Sequence, residues 1–166
     1  DVRAAPIRRV LAALPAPYWA AFWTLLLFSF ANSSDMLLLA RAGDIGVSDT
    51  AVILAYALYN VVYMVLSYTM GSLSDRVGEW PVVGAAWLLY AGVYFGFAML
   101  SPASAIWTWP LFALYGLYQA MSQGATKALV ARATPPELRG SGLGIFYMAS
   151  GLATLVGNLA AGFVWD

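Results

Sequence analysis

Five apolar segments, each about as long as a bilayer's hydrocarbon core is thick, leave this chain little choice but to fold in a membrane. They cover residues 18–40, 50–70, 82–100, 109–131 and 141–165. A helix needs about 20 such residues to cross roughly 30 Å of hydrocarbon. Threaded in alternating directions, the segments put Arg3, Arg8, Arg9, Arg76, Lys127, Arg132 and Arg139 on one side and only Arg41 on the other. Basic residues are retained on the cytoplasmic side, so the N-terminus is expected in the cytoplasm and Asp166 outside. The sequence predicts an all-α polytopic membrane helical bundle of five transmembrane helices. Residues 1–17, with Pro6, Pro15 and Pro17, read as a cytoplasmic linker, and 18–166 as the bundle.

Composition narrows the function. Hydrophobic residues make up 62% of the chain and charged residues 10%, against about 25% charged in soluble domains. The net charge is zero and no basic run is present, which speaks against a nucleic-acid partner. Cysteine and histidine are both absent. Their absence removes the commonest metal ligands, the usual general base and the nucleophilic thiol. No catalytic residue, metal or cofactor is expected. The chain lacks an initiator Met, and its last residues stand at the far end of the fifth segment. It reads as a piece of something longer.

Two kinds of stripe run along the helices. Small residues recur every four positions as Gly116, Ala120, Gly124 and Ala128, and again as Ala149, Ala153, Gly157 and Ala161. Such ladders let helix backbones approach closely in lipid. Polar stripes are the opposite case. Tyr115, Gln119, Gln123 and Lys127 share one face of the fourth segment, and Tyr56, Asn60, Tyr63 and Ser67 one face of the second. Asn32 and Asp35 stand three apart in the first. Polar groups are costly in hydrocarbon unless paired or wetted. Interhelical hydrogen bonding is one reading of these stripes. A cavity shared by helices one, two and four is the other, and it is favoured because three helices carry coherent polar faces while the third carries none.

Asp35 lies about 17 residues beyond Tyr18, hence roughly 25 Å along the helix and in its outer third. Lys127 lies near the inner end, where it can also snorkel to the interface. The two are therefore expected as gate or coupling positions near opposite mouths, not as an ion pair. The run Asn32-Ser33-Ser34-Asp35 offers the first helix a place to break, because short polar side chains compete for backbone hydrogen bonds.

Between the second and third segments stands Gly71-Ser72-Leu73-Ser74-Asp75-Arg76-Val77-Gly78. Its glycines permit a tight reversal, Asp75 can complement a helix start, and Arg76 holds the loop inside. The order Gly-x-Leu-small-Asp-Arg-x-Gly at this place resembles the inter-helix signature of the major facilitator superfamily. Glu79 and Trp80 stand where basic residues usually follow, as in the weaker copy in the second half of such transporters. The stretch 123–144, with Lys127-Ala128-Leu129-Val130 and Pro135-Pro136-Glu137-Leu138-Arg139-Gly140, resembles helices ten to eleven of that superfamily. Residues 32–41 resemble the seventh helix of a drug-efflux-like branch.

The resemblance implies most of a C-terminal six-helix half (helices 7–11), with a three-plus-three inverted repeat whose first and fourth helices line a central cavity. It implies a secondary active transporter that moves a small organic solute by alternating access, coupled to protons, possible roles including drug or metabolite efflux. Asn32, Tyr56, Asn60, Tyr63, Tyr115, Gln119 and Gln123 are then cavity residues, Asp35 and Lys127 coupling or gate residues, and Gly71, Asp75, Arg76 and Gly78 the switching signature. The partners are the solute, the lipid bilayer and the N-terminal half of the same polypeptide, in a bacterial inner membrane. The alternative is a non-transporting receptor or assembly subunit on the same fold. An intramembrane enzyme is disfavoured, since a paired-aspartate site needs two deep carboxylates and only Asp35 is found.

Overall fold

The computed structural model describes residues 7–32 and 35–165, and among them every regular element is helical. Arg3, Ser33, Ser34 and Asp166 lie outside the described residues. A short helix, α1 (Ile7–Ala13), forms where a linker is expected. Ile7, Val10, Leu11 and Leu14 fall at helical spacing, and Val10 and Leu14 are buried. Pro15 therefore separates two helices instead of extending the chain. Pro15 ends α1 and caps α2 (Ala16–Ala31), with Pro17 in the first turn, where a missing N–H costs nothing.

Helix α2 closes at Asn32, whose N–H donates to the Phe28 carbonyl (2.9 Å). Helix α3 (Asp35–Asp44) opens with Asp35 in its first turn, where a carboxylate suits the helix dipole. Gly46, at φ +85°, turns the chain, and the Ser48 hydroxyl accepts the Ala51 N–H to start α4 (Asp49–Val77).

Helix α4 runs 29 residues, well beyond 70. Most of the signature is thus helix, not loop. Nothing from Gly71 to Val77 breaks a helix, and continuing it satisfies the backbone. Gly71 sits in helical conformation, and the reversal falls on Gly78 alone, at φ +94° and ψ 155°. Glu79, not Asp75, stands in the first turn of α5 (Glu79–Met99).

A 3₁₀ turn, Pro102–Trp107, closed by reciprocal Ser101–Ser104 hydrogen bonds, leads into α6 (Thr108–Ala133). Pro135 and Pro136 stop that helix, and a second 3₁₀ turn opens α7 (Arg139–Trp165). Among the described residues, four stretches are both long and apolar enough to cross a membrane: Ala16–Asp44, Asp49–Val77, Glu79–Met99 and Pro136–Ala160. At 26 residues α6 has the length. Its polar face, with Gln119, Gln123 and Lys127, makes it less apolar than those four. The chain is an integral membrane protein built as an all-α polytopic helical bundle.

The chain divides into two compact units, residues 1–33 with 127–166, and residues 34–126. In the first, α2 lies along α7. Tyr18 donates to the Gly142 carbonyl (2.9 Å), Phe22 meets Phe146 edge-on, and Thr154 donates to the Ser29 carbonyl (3.3 Å). The paired numbers rise together, so the two helices are parallel and start at the same end. A side chain at Gly157 would collide with the Phe30 carbonyl, and Ala153 is buried. The α7 small-residue ladder is thus a backbone contact, although the Ala161 side chain lies outside the described ones. Tyr18 is fully buried in this pair, whereas Trp23 is exposed.

In the second unit α3, α4 and α5 pack with the greater part of α6. A Cβ on Gly116 would stand 2.6 Å from the Tyr59 carbonyl. Gly116 and Ala120 therefore seat α6 on α4, while Gly124 faces open space. Arg41 at the end of α3 donates to the Leu100 carbonyl (Nη2, 2.9 Å) and the Phe97 carbonyl (Nε, 3.4 Å). These carbonyls end α5, where helix carbonyls run short of backbone donors; that of Phe97 also accepts the Leu100 N–H (3.2 Å). Arg41, expected to stand alone among the basic residues on its side, thus has a definite task at this helix end.

A candidate functional site around Asp35

The second unit concentrates its polar groups on one carboxylate. Tyr115 on α6 donates to Oδ1 of Asp35 at 2.6 Å. Tyr59 on α4 approaches Oδ2 at 3.5 Å, the outer limit of a hydrogen bond. Gln119 donates to the Tyr59 hydroxyl (3.2 Å), and Gln123 to the Gln119 side-chain carbonyl (3.4 Å). A hydrogen-bonded line therefore runs Gln123, Gln119, Tyr59, Asp35, and Tyr115 closes it from the other side. Exposure falls along it as far as Tyr59, and Asp35 itself is half-buried. Gln123 is exposed, Gln119 half-buried, and Tyr59 and Tyr115 are 5% and 1% exposed.

Local sequence explains the line. Tyr115, Gln119 and Gln123 recur every four residues, so one face of α6 carries all three. Asp35 leads α3 and projects from its first turn. A short O–H···O⁻ bond is among the stronger hydrogen bonds a protein makes, and here it ties a half-buried carboxylate to a buried phenol.

Aromatic rings surround this line. Tyr56 stacks on Tyr59 (centroids 5.1 Å apart), Tyr59 on Tyr115 (5.2 Å), and Tyr115 lies against Tyr118 (5.4 Å). From α5, Tyr90 meets Tyr118 at 5.1 Å and Tyr94 meets Tyr115 at 6.5 Å. The third apolar segment, expected to carry no polar face, thus adds two phenols. Residues 82–100 have no charge or amide, but a tyrosine is apolar along its length and polar at its tip, and hydropathy alone conceals that tip.

Of the residues expected at a cavity, Tyr56, Tyr115, Gln119 and Gln123 come together, around Asp35, which was expected as a coupling or gate residue. Asn60 is exposed and donates to the Tyr56 carbonyl of its own helix (2.8 Å). Tyr63 is half-buried, and its carbonyl accepts the Ser67 hydroxyl. The α4 stripe is thus satisfied largely within its own helix. Asn32 caps α2 and Lys127 is exposed on α6, both in the first unit. Asp75 and Arg76 are exposed in the last turn of α4, where the arginine suits the dipole. Sequence reasoning missed Tyr59, Tyr90 and Tyr94. The Tyr56, Tyr59, Tyr63 spacing was the available signal for the first of these. Among the described residues no group of three or more acidic, histidine or cysteine side chains is placed to hold a metal.

The chain is 36% identical over 146 residues to an uncharacterised MFS-type transporter of Methanocaldococcus jannaschii. That match takes in 84% of this chain and 36% of the relative, so the chain spans about a third of the length of the curated protein it matches. No solved structure matches it. The family model of the major facilitator superfamily aligns with residues 2–164, nearly the whole chain, and the protein therefore belongs to the major facilitator superfamily.

Proposed function

We propose that this chain is most of the C-terminal half of a secondary active transporter that moves a small organic solute by alternating access, in a drug-efflux-like branch. The superfamily is one of membrane transporters, and the chain is not an enzyme. In this reading α6 is a fifth span, its polar face turned to a water-filled cavity. The five spans belong to a six-helix half with inverted repeats. The N-terminal half of the same polypeptide supplies the other wall. The basic ends face the cytoplasm of a bacterial cell, and the glycines and charges of the α4–α5 connection serve the switch between states.

The observation that carries the proposal is the bonding of Asp35. Intramembrane carboxylates are costly and mark ion or substrate pathways. As a carboxylate Asp35 accepts from two phenols on two different helices. On taking a proton, one oxygen becomes a donor and can no longer accept in the same way, so Tyr115 or Tyr59 must reorient. Protonation at one atom thereby loosens the α3, α4 and α6 contact, which is what proton coupling requires.

The test is transport by the full-length parent in proteoliposomes, with a panel of small organic solutes and an imposed pH gradient. Asp35→Asn is expected to abolish the dependence of flux on the gradient while solute binding persists. Unchanged proton dependence would remove Asp35 from coupling. Wild-type protein that binds solutes and moves none would favour a receptor or assembly subunit.

A further inference from the structure

We propose that the groove between α1 and the start of α7 binds one anionic phospholipid, with an acyl chain in the groove and the phosphate on the exposed arginines of the two flanking segments. The groove has a volume of about 290 Å³ and is lined by Ile7, Val10, Ser141, Gly144, Ile145 and Met148. That is near the lower end for ligand cavities, enough for part of one acyl chain. The α7 residues fall at 141, 144, 145 and 148, a single helix face. Apart from the Ser141 hydroxyl, the lining side chains are apolar.

Gly144 keeps this groove open. A Cβ there would meet nothing within 4 Å, whereas one on Gly142 would stand 2.7 Å from Thr134. Close helix packing therefore accounts for Gly142 and not for Gly144. Ile7 and Met148 are 62% and 59% exposed, so both walls turn apolar surface outward.

Charge selects the occupant. Arg8 and Arg9 on α1 and Arg139 at the start of α7 are all exposed, and in these flanking segments only Glu137 opposes them. An apolar partner helix would match the groove and leave three cations unanswered. A phosphodiester with an acyl chain matches both. Depth agrees with this. Helices α2 and α7 are parallel and start at the same end, just after α1 and at Arg139. Met148 lies nine residues on, roughly 14 Å deeper. The arginines thus stand at headgroup level and the groove beside the first part of the acyl chains. Basic clusters next to spans attract anionic lipid in this way. The site shares no residue with the Asp35 cluster and does not depend on its role.

Native mass spectrometry of the full-length protein, titrated with phosphatidylglycerol or phosphatidylcholine, tests it. Wild type is expected to retain phosphatidylglycerol about tenfold better. Arg8→Gln with Arg9→Gln should lower it to the phosphatidylcholine level. Gly144→Leu should cut retention of both lipids at an unchanged unfolding temperature, and should Gly144→Leu fail to fold, Met148→Gln at an exposed position should produce the same loss. Equal retention of the two lipids by wild type, or retention untouched by the groove and arginine variants, overturns the proposal. So does competition by glycerol phosphate as strong as by the lipid, which would assign the site to a bare phosphate, or a lipid-free dimer closed over this face.

Discussion

Tyr115 and Asp35, eighty residues apart in the chain, are joined by a hydrogen bond of 2.6 Å between the phenol and Oδ1. Tyr59 reaches the other oxygen at 3.5 Å. The two contacts are unequal, so the removal of one phenol should hurt far more than the removal of the other.

Tyr115→Phe is expected to lower stability by about 1–2 kcal/mol, the upper range for hydrogen bonds within membrane proteins. Tyr59→Phe should cost less than half of that. A double-mutant cycle with Asp35→Asn, read by thermal unfolding in detergent, should show coupling for Tyr115 and little for Tyr59. Equal coupling for the two would contradict the geometry.

Glycines of the ladder on α6 should separate sharply. Gly116→Val drives a side chain into the Tyr59 carbonyl and Val62, and backbone cannot yield cheaply, so a loss of about 1–3 kcal/mol is expected. Gly124→Ala meets nothing within 4 Å and should be neutral or stabilise by up to about 1 kcal/mol. Unfolding temperatures of the two variants, measured side by side, check this.

The same contrast applies within the signature. Gly78 holds φ +94° and ψ 155°, a region other residues occupy at a cost of about 1–3 kcal/mol. Gly78→Ala should therefore destabilise the α4–α5 hairpin. Gly71→Ala, in a helix and facing open space, should not. Proteolysis at the connection, followed by mass spectrometry, would show opening in the first variant alone.

Arg41→Met should cost about 1–3 kcal/mol, since the Leu100 carbonyl loses its arginine donor and the Phe97 carbonyl keeps only the Leu100 N–H. Arg41→Lys should recover only part of it, because one ammonium cannot reproduce the two-armed contact. Hydrogen exchange at the end of α5 is the direct readout. Full rescue by lysine would mean that charge alone matters there.

Much of the site was legible because it follows a helical period. Tyr115, Gln119 and Gln123 recur every four residues, and the structure sets them in one line. The same rule selected Asn60 and Tyr63 on α4, yet the residue that meets Asp35 is Tyr59, one step round the helix. Asn60 instead bonds to its own helix. Period assigns residues to a face but is silent on which face meets which neighbour. The prolines were read as linker although α1 forms between them, since a stripe of four apolar positions is too short to stand out.

The amino-acid order by itself determined the solvent, the helical class and the family. Long apolar runs admit no other home than lipid, and lipid admits no open backbone. Tertiary structure alone decided that the signature is mostly helix turned on Gly78, that Arg41 answers the carbonyls of α5, and that six tyrosines from three helices gather around Asp35. These depend on contacts between residues tens of positions apart, and such contacts are set by how helix surfaces fit, which no local pattern encodes.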